Sequence, residues 1–256
     1  MALLSVAALA PYATRYASDG PAYGRPLVVT AVLLPGSALV SYDPLNLDNL
    51  LARAVVDEAL AGRGLPPPAS GDAYALPIPL RCLWRDEQGL PLWAATPFAP
   101  AGAVARDVHY WHKRLQSGAW TAGRGGRLSL ASAHGRWMER RVPQPALVAE
   151  RFMARAVGDP AEVARLLGRI THLGKKRGAG FGAVARWEVA EDAAPFALVA
   201  DTGDGPRLTR SLPAAAVRLL DGGLPDGPPA LVGWTPPQWA PWLFAPGWWP
   251  GTPVAR

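Results

Sequence analysis

The segment HLGKKRGAGFGAV, residues 172–184, sets three consecutive cations, Lys175, Lys176 and Arg177, inside a frame of glycines at 174, 178, 180 and 182. Glycine at that density disfavours both helix and strand, because it gives up the most backbone freedom on ordering. The segment is therefore a loop, and it constrains both of its neighbours. Upstream, residues 160–171 (PAEVARLLGRIT) read as a helix, with Asp159 as its cap, Pro160 in the first turn and Glu162 at the positive helix end. Downstream, GAVARWEVAE alternates as a strand.

The rest of the chain supplies partners for that unit. PLVVTAVLLP, residues 26–35, is apolar, β-branched and bounded by prolines, and reads as a buried strand. PLNLDNLLARAVVDEALAG follows as a helix. Asn46 or Asp48 can cap it, Leu47, Leu50, Leu51, Ala54, Val55 and Leu60 fall near helical spacing, and Gly62 ends it. GRGLPPPASGDA is a loop. Residues 76–98 read as two strands about a turn at 86–89, where Asp86 and Glu87 sit beside Gly89. Residues 103–135 read as irregular, basic and polar, and ALVAERFMARAVG from Ala146 as one strand. This order makes the chain α+β and close to the βαββαβ ferredoxin-like (RRM-type) plan. The expected organisation is an N-terminal extension (1–25), a ferredoxin-like domain (26–192) with a basic insertion at about 103–141, and a C-terminal extension (193–256).

Charge and composition narrow the partners. The net charge is +6, carried mostly by arginine, which forms forked hydrogen bonds to phosphate. The excess favours nucleic acid, anionic lipid or acidic protein. Between Arg106 and Arg141 eight Lys or Arg face only Asp107 and Glu139. The single cysteine, Cys82, excludes an internal disulfide and a cysteine-built zinc site, and fits a reducing cytoplasm. No apolar run has the roughly 18 residues that a membrane span needs. The start, MALLSVAALAPYA, has no basic residue before its apolar run, so it reads as an arm or an early start codon rather than a signal peptide. The C-terminal extension carries five of the eleven tryptophans, Trp234, Trp239, Trp242, Trp248 and Trp249, expected as packing anchors.

Glycines in the 172–184 loop can take backbone angles closed to other residues and let a second backbone approach. Consecutive N–H groups there can form an anion nest, and the adjacent cations add the electrostatic term that dominates phosphate binding. The loop is no P-loop, since no GKS or GKT follows at the required spacing. It is no dinucleotide fingerprint either, since it follows a helix instead of opening one.

The run GRITHLGKKRGAGFGAVARWEV resembles the glycine-rich loop of the CRISPR-associated RAMP superfamily, which precedes that fold's last strand. PLVVTAVLLPGSALVSYDPLNLDNLLARAVVDEAL, the central LPIPLRCLWRDEQGLPLWAATPF, HYWHKR and the Pro/Trp-rich end are similar to one branch, the Cas five-type subunit of type IV CRISPR effector complexes. The resemblance implies a non-catalytic subunit that caps the 5′ handle of the guide RNA (crRNA). It implies contact with the backbone and large subunits, near where target DNA is first read, with no cofactor, no metal and no membrane. It assigns guide-RNA contact to Gly174, Lys175, Lys176, Arg177, Gly178, Gly180 and Gly182. It also makes the 106–141 region an RNA- or subunit-reaching insertion, in which His112, Lys113, Arg114, Arg136, Arg140 and Arg141 are expected to touch RNA. The extension before Arg25 departs from the family pattern.

VHYWHKR, residues 108–114, also offers chemistry. His109 or His112 can exchange protons, Tyr110 can assist, and Lys113 or Arg114 can stabilise a phosphorane, which is what metal-free RNA cleavage needs. The alternative function is therefore an endoribonuclease that processes precursor crRNA, with His112, Lys113 and Tyr110 as its catalytic group. A metal held by His109 and His112 has no carboxylate or cysteine cluster behind it. His172 can bind RNA or cap the preceding helix, and His134 is expected in solvent. Trp111, Trp120 and Trp137 are interleaved with cations, which suits single-stranded RNA as well as packing. A basic interaction module outside CRISPR is the third reading.

Overall fold

The computed structural model describes residues 3–4, 6–17, 21–65, 72–113, 140–201, 203–238 and 240–255. Strand β1 (Arg25–Leu33) is the hub, as its β-branched run requires: Leu27, Val29, Ala31 and Leu33 alternate onto one buried face. After it come helix α2 (Leu47–Ala59), the hairpin β2 (Cys82–Arg85) and β3 (Pro91–Trp93), and strand β4 (Ala99–Ala101). The chain continues through β5 (Ala105–Lys113), β6 (Arg140–Val148), β7 (Arg151–Gly158), α3 (Pro160–Leu167) and β8 (Val184–Glu191). A short α1 (Ala10–Arg15) precedes all of these.

Four strands form one antiparallel sheet in the order β8–β1–β7–β4. Phe152, Ala154 and Ala156 of β7 lie on the face of Leu27, Val29 and Ala31 by register. Leu47, Leu51 and Val55 of α2 and Val163, Leu166 and Leu167 of α3 join the same core cluster. Both helices thus bury their apolar stripes on one face of the sheet, the α+β arrangement. Asp159 caps α3 as its side chain predicts, accepting from the N–H groups of Ala161 (2.9 Å) and Glu162 (3.2 Å). Asn46 occupies the N-cap of α2 without a side-chain capping bond. Asp48 has a different task, described below.

Four details differ from the sequence-based reading. The β2–β3 hairpin is real, its turn tied by Asp86 to the N–H groups of Gln88 and Leu90, but it stands outside the main sheet. The sheet's edge is the three-residue β4 instead. Residues 105–113, read as irregular, are a regular strand paired over its whole length with β6. The stretch from Ala146 is two strands, β6 and β7, separated at 149–150. Finally, α2 ends at Ala59 and α3 at Leu167, ahead of Gly62 and Thr171, with Gly168 at the C-cap of α3.

The segment before β1 is built into the core. Leu9, Tyr16 and Tyr23 are buried in the main cluster. Tyr12 donates to Glu58 of α2 at 2.8 Å and Tyr16 to Glu162 of α3 at 2.7 Å, while Arg165 bridges both carboxylates at 2.7 and 3.1 Å. Burial and the Glu162 hydrogen bond push the Tyr16 phenol up to about 12. The C-terminal extension forms a second cluster around Leu90, Leu92, Leu212, Ala216 and Trp234. Trp234 anchors it, buried with its ring 5.5 Å from that of Trp84, and Trp248 packs half-buried on the cluster, whereas Trp239 lies outside the described residues. An arginine is a second anchor. Arg210 is fully buried and donates to Asp48 (3.2 Å), to the carbonyl of Trp234 (2.7 Å) and to the carbonyl of Trp93. Gln238 donates to the same carboxylate at 3.0 Å. Trp242 and Trp249 stay exposed.

Candidate nucleic-acid interface

The glycine-rich loop leaves α3 and doubles back to β8 against one neighbour, residues 37–45. Lys175 N–H donates to the carbonyl of Val40 (2.8 Å) and Gly182 N–H to that of Ala38 (2.9 Å). Leu173 N–H reaches Gly182 (2.7 Å), and the Ser37 hydroxyl accepts from Ala183 N–H (2.9 Å). Two glycines are fixed by this close approach. At Gly182, φ is +67° and a Cβ would stand 1.8 Å from the Leu173 carbonyl oxygen. At Gly174, φ is +81° and a Cβ would meet Leu39 and the Val40 carbonyl at 2.6 Å. Both are therefore spent on shape, facing protein rather than solvent. Gly178 and Gly180 lie exposed at the loop's tip with open space around them.

The cations divide in the same way. Lys175 pairs with Asp43 at 3.1 Å and lies over the Tyr42 ring at 4.8 Å. Lys176 and Arg177 are exposed; their carbonyls accept from Ala179 and Gly180 N–H at 2.9 Å each, but among the described residues neither side chain makes a hydrogen bond or an ion pair. Lys176 holds φ at +62°, the left-handed region, in a loop where glycine would take that angle freely.

The β5–β6 hairpin joins the loop on its far side. Leu39 exchanges backbone hydrogen bonds with Leu147 at 2.8 Å each, so residues 37–45 are clasped between hairpin and loop. His109 meets Phe181 of the loop edge-on at 5.2 Å. Phe181 packs on Ala38, Val40 and Ala146. Buried Gln144, opposite His109 in register, accepts from the Tyr42 hydroxyl at 2.8 Å. His109, Phe181, Tyr42, Gln144 and Lys175 are joined through these contacts, with Trp111 on the strand face of His109 and Lys176 and Arg177 next to Lys175 in the loop. Trp111 is 51% exposed. Basic and aromatic groups interleaved on an open surface are what stack and neutralise single-stranded nucleic acid.

Strand geometry reassigns VHYWHKR. Residues three apart in a strand face opposite ways, so His109 and His112 cannot form a metal pair or a shared acid–base couple. Tyr110 and His112 lie on the opposite face, where Arg141 sits 4.0 Å over the Tyr110 ring. Lys113 and Arg140 pair in the ladder, but their side chains lie outside the described residues. Arg114, Arg136, Trp120, Trp137 and His134 also lie outside them. His172 bridges to Ala183 and contacts the Thr171 hydroxyl at 2.9 Å, five residues beyond α3, so it does not cap that helix. Among the described residues no three His, Cys, Asp or Glu converge as metal ligands, and no helix is long and apolar enough to cross a membrane. The site residues that sequence reasoning missed are Phe181, Tyr42 and Gln144. No family model matches this chain, and no curated protein does.

Proposed function

We propose that the chain is a non-catalytic RNA-binding subunit of a cytoplasmic CRISPR ribonucleoprotein, with the four-stranded sheet and its two helices as a ferredoxin-like RAMP core. The sheet order β8–β1–β7–β4, with helices between the first and second and the third and fourth of these strands in sequence, supports that core. The single observation that carries the RNA reading is the junction itself. A loop with two side-chain-uncommitted cations meets a hairpin bearing His109 and Trp111 through the contact between Phe181 and His109.

In this mechanism Lys176 and Arg177 hold phosphates, Lys175 exchanges Asp43 for a phosphate, and splayed bases stack on Trp111 and the neighbouring rings. The exposed Lys175–Asp43 pair is worth at most about 1 kcal/mol, so a phosphate displaces it readily. The 2′-hydroxyl and the shape of the strand would separate RNA from DNA. Guide pairing, not the protein, would then read the target sequence. The 5′ handle of the guide, the backbone and large subunits and nearby target DNA are the partners this reading assigns.

A labelled repeat-derived RNA, mixed with the full chain in EDTA and run on one native and one denaturing gel, tests the assignment. The expected result is a salt-sensitive shift with intact RNA, lost when Lys175, Lys176 and Arg177 become alanine. A discrete metal-free cut that His112→Ala abolishes would replace it with the endoribonuclease reading.

A further inference from the structure

A cavity of about 990 Å³ opens on the other side of the glycine-rich loop, between α2, residues 72–76 and the C-terminal stretch that holds Trp242. Its size lies at the top of the roughly 300–1,000 Å³ range typical of small-molecule sites. Three walls of different chemistry meet there. Helix α2 contributes Arg53 and Asp57, joined by an ion pair at 2.7 Å. The loop contributes His172, Lys175 and Arg177. The tail contributes Trp242, 42% exposed. The other Asp57 oxygen, Oδ1, is buried without a hydrogen-bond partner among the described residues.

We propose that this cavity is a nucleotide site. A phosphate is the anion that fits beside Arg177, the cation that no described acidic group neutralises, with His172 and Lys175 next to it. A planar base fits the apolar side against Trp242, because every base offers a π-face for stacking. Asp57 Oδ1 is closed off from the cavity by burial, so Asp57 serves to hold Arg53 in the wall. A hydrophobic ligand without charge would leave Arg177 unanswered, and a bare phosphate would leave Trp242 unused. The proposal goes beyond the RNA-binding reading and rests on it only through the shared loop. It places Arg177 between two surfaces, the hairpin side and the cavity side.

Equilibrium dialysis of labelled AMP, GMP and CMP against the full chain tests the site without any guide RNA. Saturable one-to-one binding is expected, weakened at least tenfold by Trp242→Ala and by Arg177→Ala and unchanged by Arg218→Ala, an exposed cation of the C-terminal extension outside the cavity lining. Arg177 is exposed, so its variant keeps the fold and serves as the control for any loss of structure in Trp242→Ala. Competition by a repeat-derived RNA would identify the ligand as a nucleotide of an RNA chain. Simultaneous binding of both would identify it as a free nucleotide. No saturable binding of any of the three nucleotides, or equal affinity in wild type and Arg177→Ala, overturns the proposal. An RNA gel shift that persists in that case leaves the RNA-binding reading standing, and nucleotide binding with no RNA shift does the reverse.

Discussion

Replacing Arg210 with methionine removes the cation that ties the C-terminal extension to α2. The Arg210 and Asp48 side chains are 2% and 1% exposed, so the variant leaves a carboxylate with almost no water and only Gln238 and the Asn49 N–H as donors. The carbonyls of Trp93 and Trp234 lose a donor as well. Breaking one partner of a buried pair typically costs about 3–5 kcal/mol. Against a total stability of about 5–15 kcal/mol this is roughly a fifth or more of the whole. Urea unfolding followed by circular dichroism should show the unfolding free energy fall by that amount at neutral pH. The pH dependence follows from the sign of the shift. Burial pushes the Asp48 carboxyl up and Arg210 opposes it, so removing Arg210 raises it further. A raised folded-state carboxyl destabilises only where it is charged. The deficit should therefore shrink on acidification, as Asp48 takes up its proton, and reach full size above the folded-state value. Arg210→Met with Asp48→Leu should recover much of the loss, since an apolar pair of similar volume is often neutral. A deficit below about 1 kcal/mol, or one that grows on acidification, would refute this reasoning.

Gly182→Ala should destabilise by about 2–5 kcal/mol, from left-handed strain plus the clash with Leu173, whereas Gly178→Ala, with nothing near its Cβ, should be close to neutral; urea midpoints decide both. Lys176→Gly should leave stability unchanged or raise it by up to about 1 kcal/mol, as relief of the left-handed angle outweighs added chain freedom, while RNA affinity falls. The Arg165 hydrogen bond holds the Glu58 carboxyl below its ordinary value. That contribution is present above the unfolded-state value and is lost as pH falls through the folded one, so Arg165→Met should flatten the acid limb of a stability–pH profile below about pH 4.5.

Much of the core was legible because one-sided patterns specify it. Leu27, Val29, Ala31 and Leu33 alternate, Leu47, Leu51 and Val55 recur at helical spacing, and Asp159 caps where its position says it should. The β5 strand was not legible, because Val108, His109, Tyr110 and Trp111 are all exposed, so no buried face imprints a period of two. Its order comes from cross-strand pairing with β6, after an intervening stretch that masks the relation in sequence. The edge strand β4 is three small or imino residues, Ala99–Ala101, held by β7 alone. At the candidate site, the cations and glycines announced the loop. Which glycines serve shape and which stay open depends on Leu39, Val40 and Leu173. Phe181 gave no signal of its own, since its contact with His109 is purely tertiary. Arg210 is one of two arginines in PRLTRSLP and carries no local mark of burial, and its partner Asp48 is 162 positions away.

The salt dependence of RNA binding tests the central claim most directly. Affinity for a single strand falls with salt at a slope of about −0.7 for each phosphate neutralised. A full-chain titration with repeat-derived RNA, compared with the variant in which Lys175, Lys176 and Arg177 are alanine, should therefore show the slope reduced by about 2. Trp111→Ala should weaken binding at every salt concentration without changing the slope, as loss of a stacking platform requires. Equal slopes in wild type and triple variant would contradict the account, because the loop would then hold no phosphate.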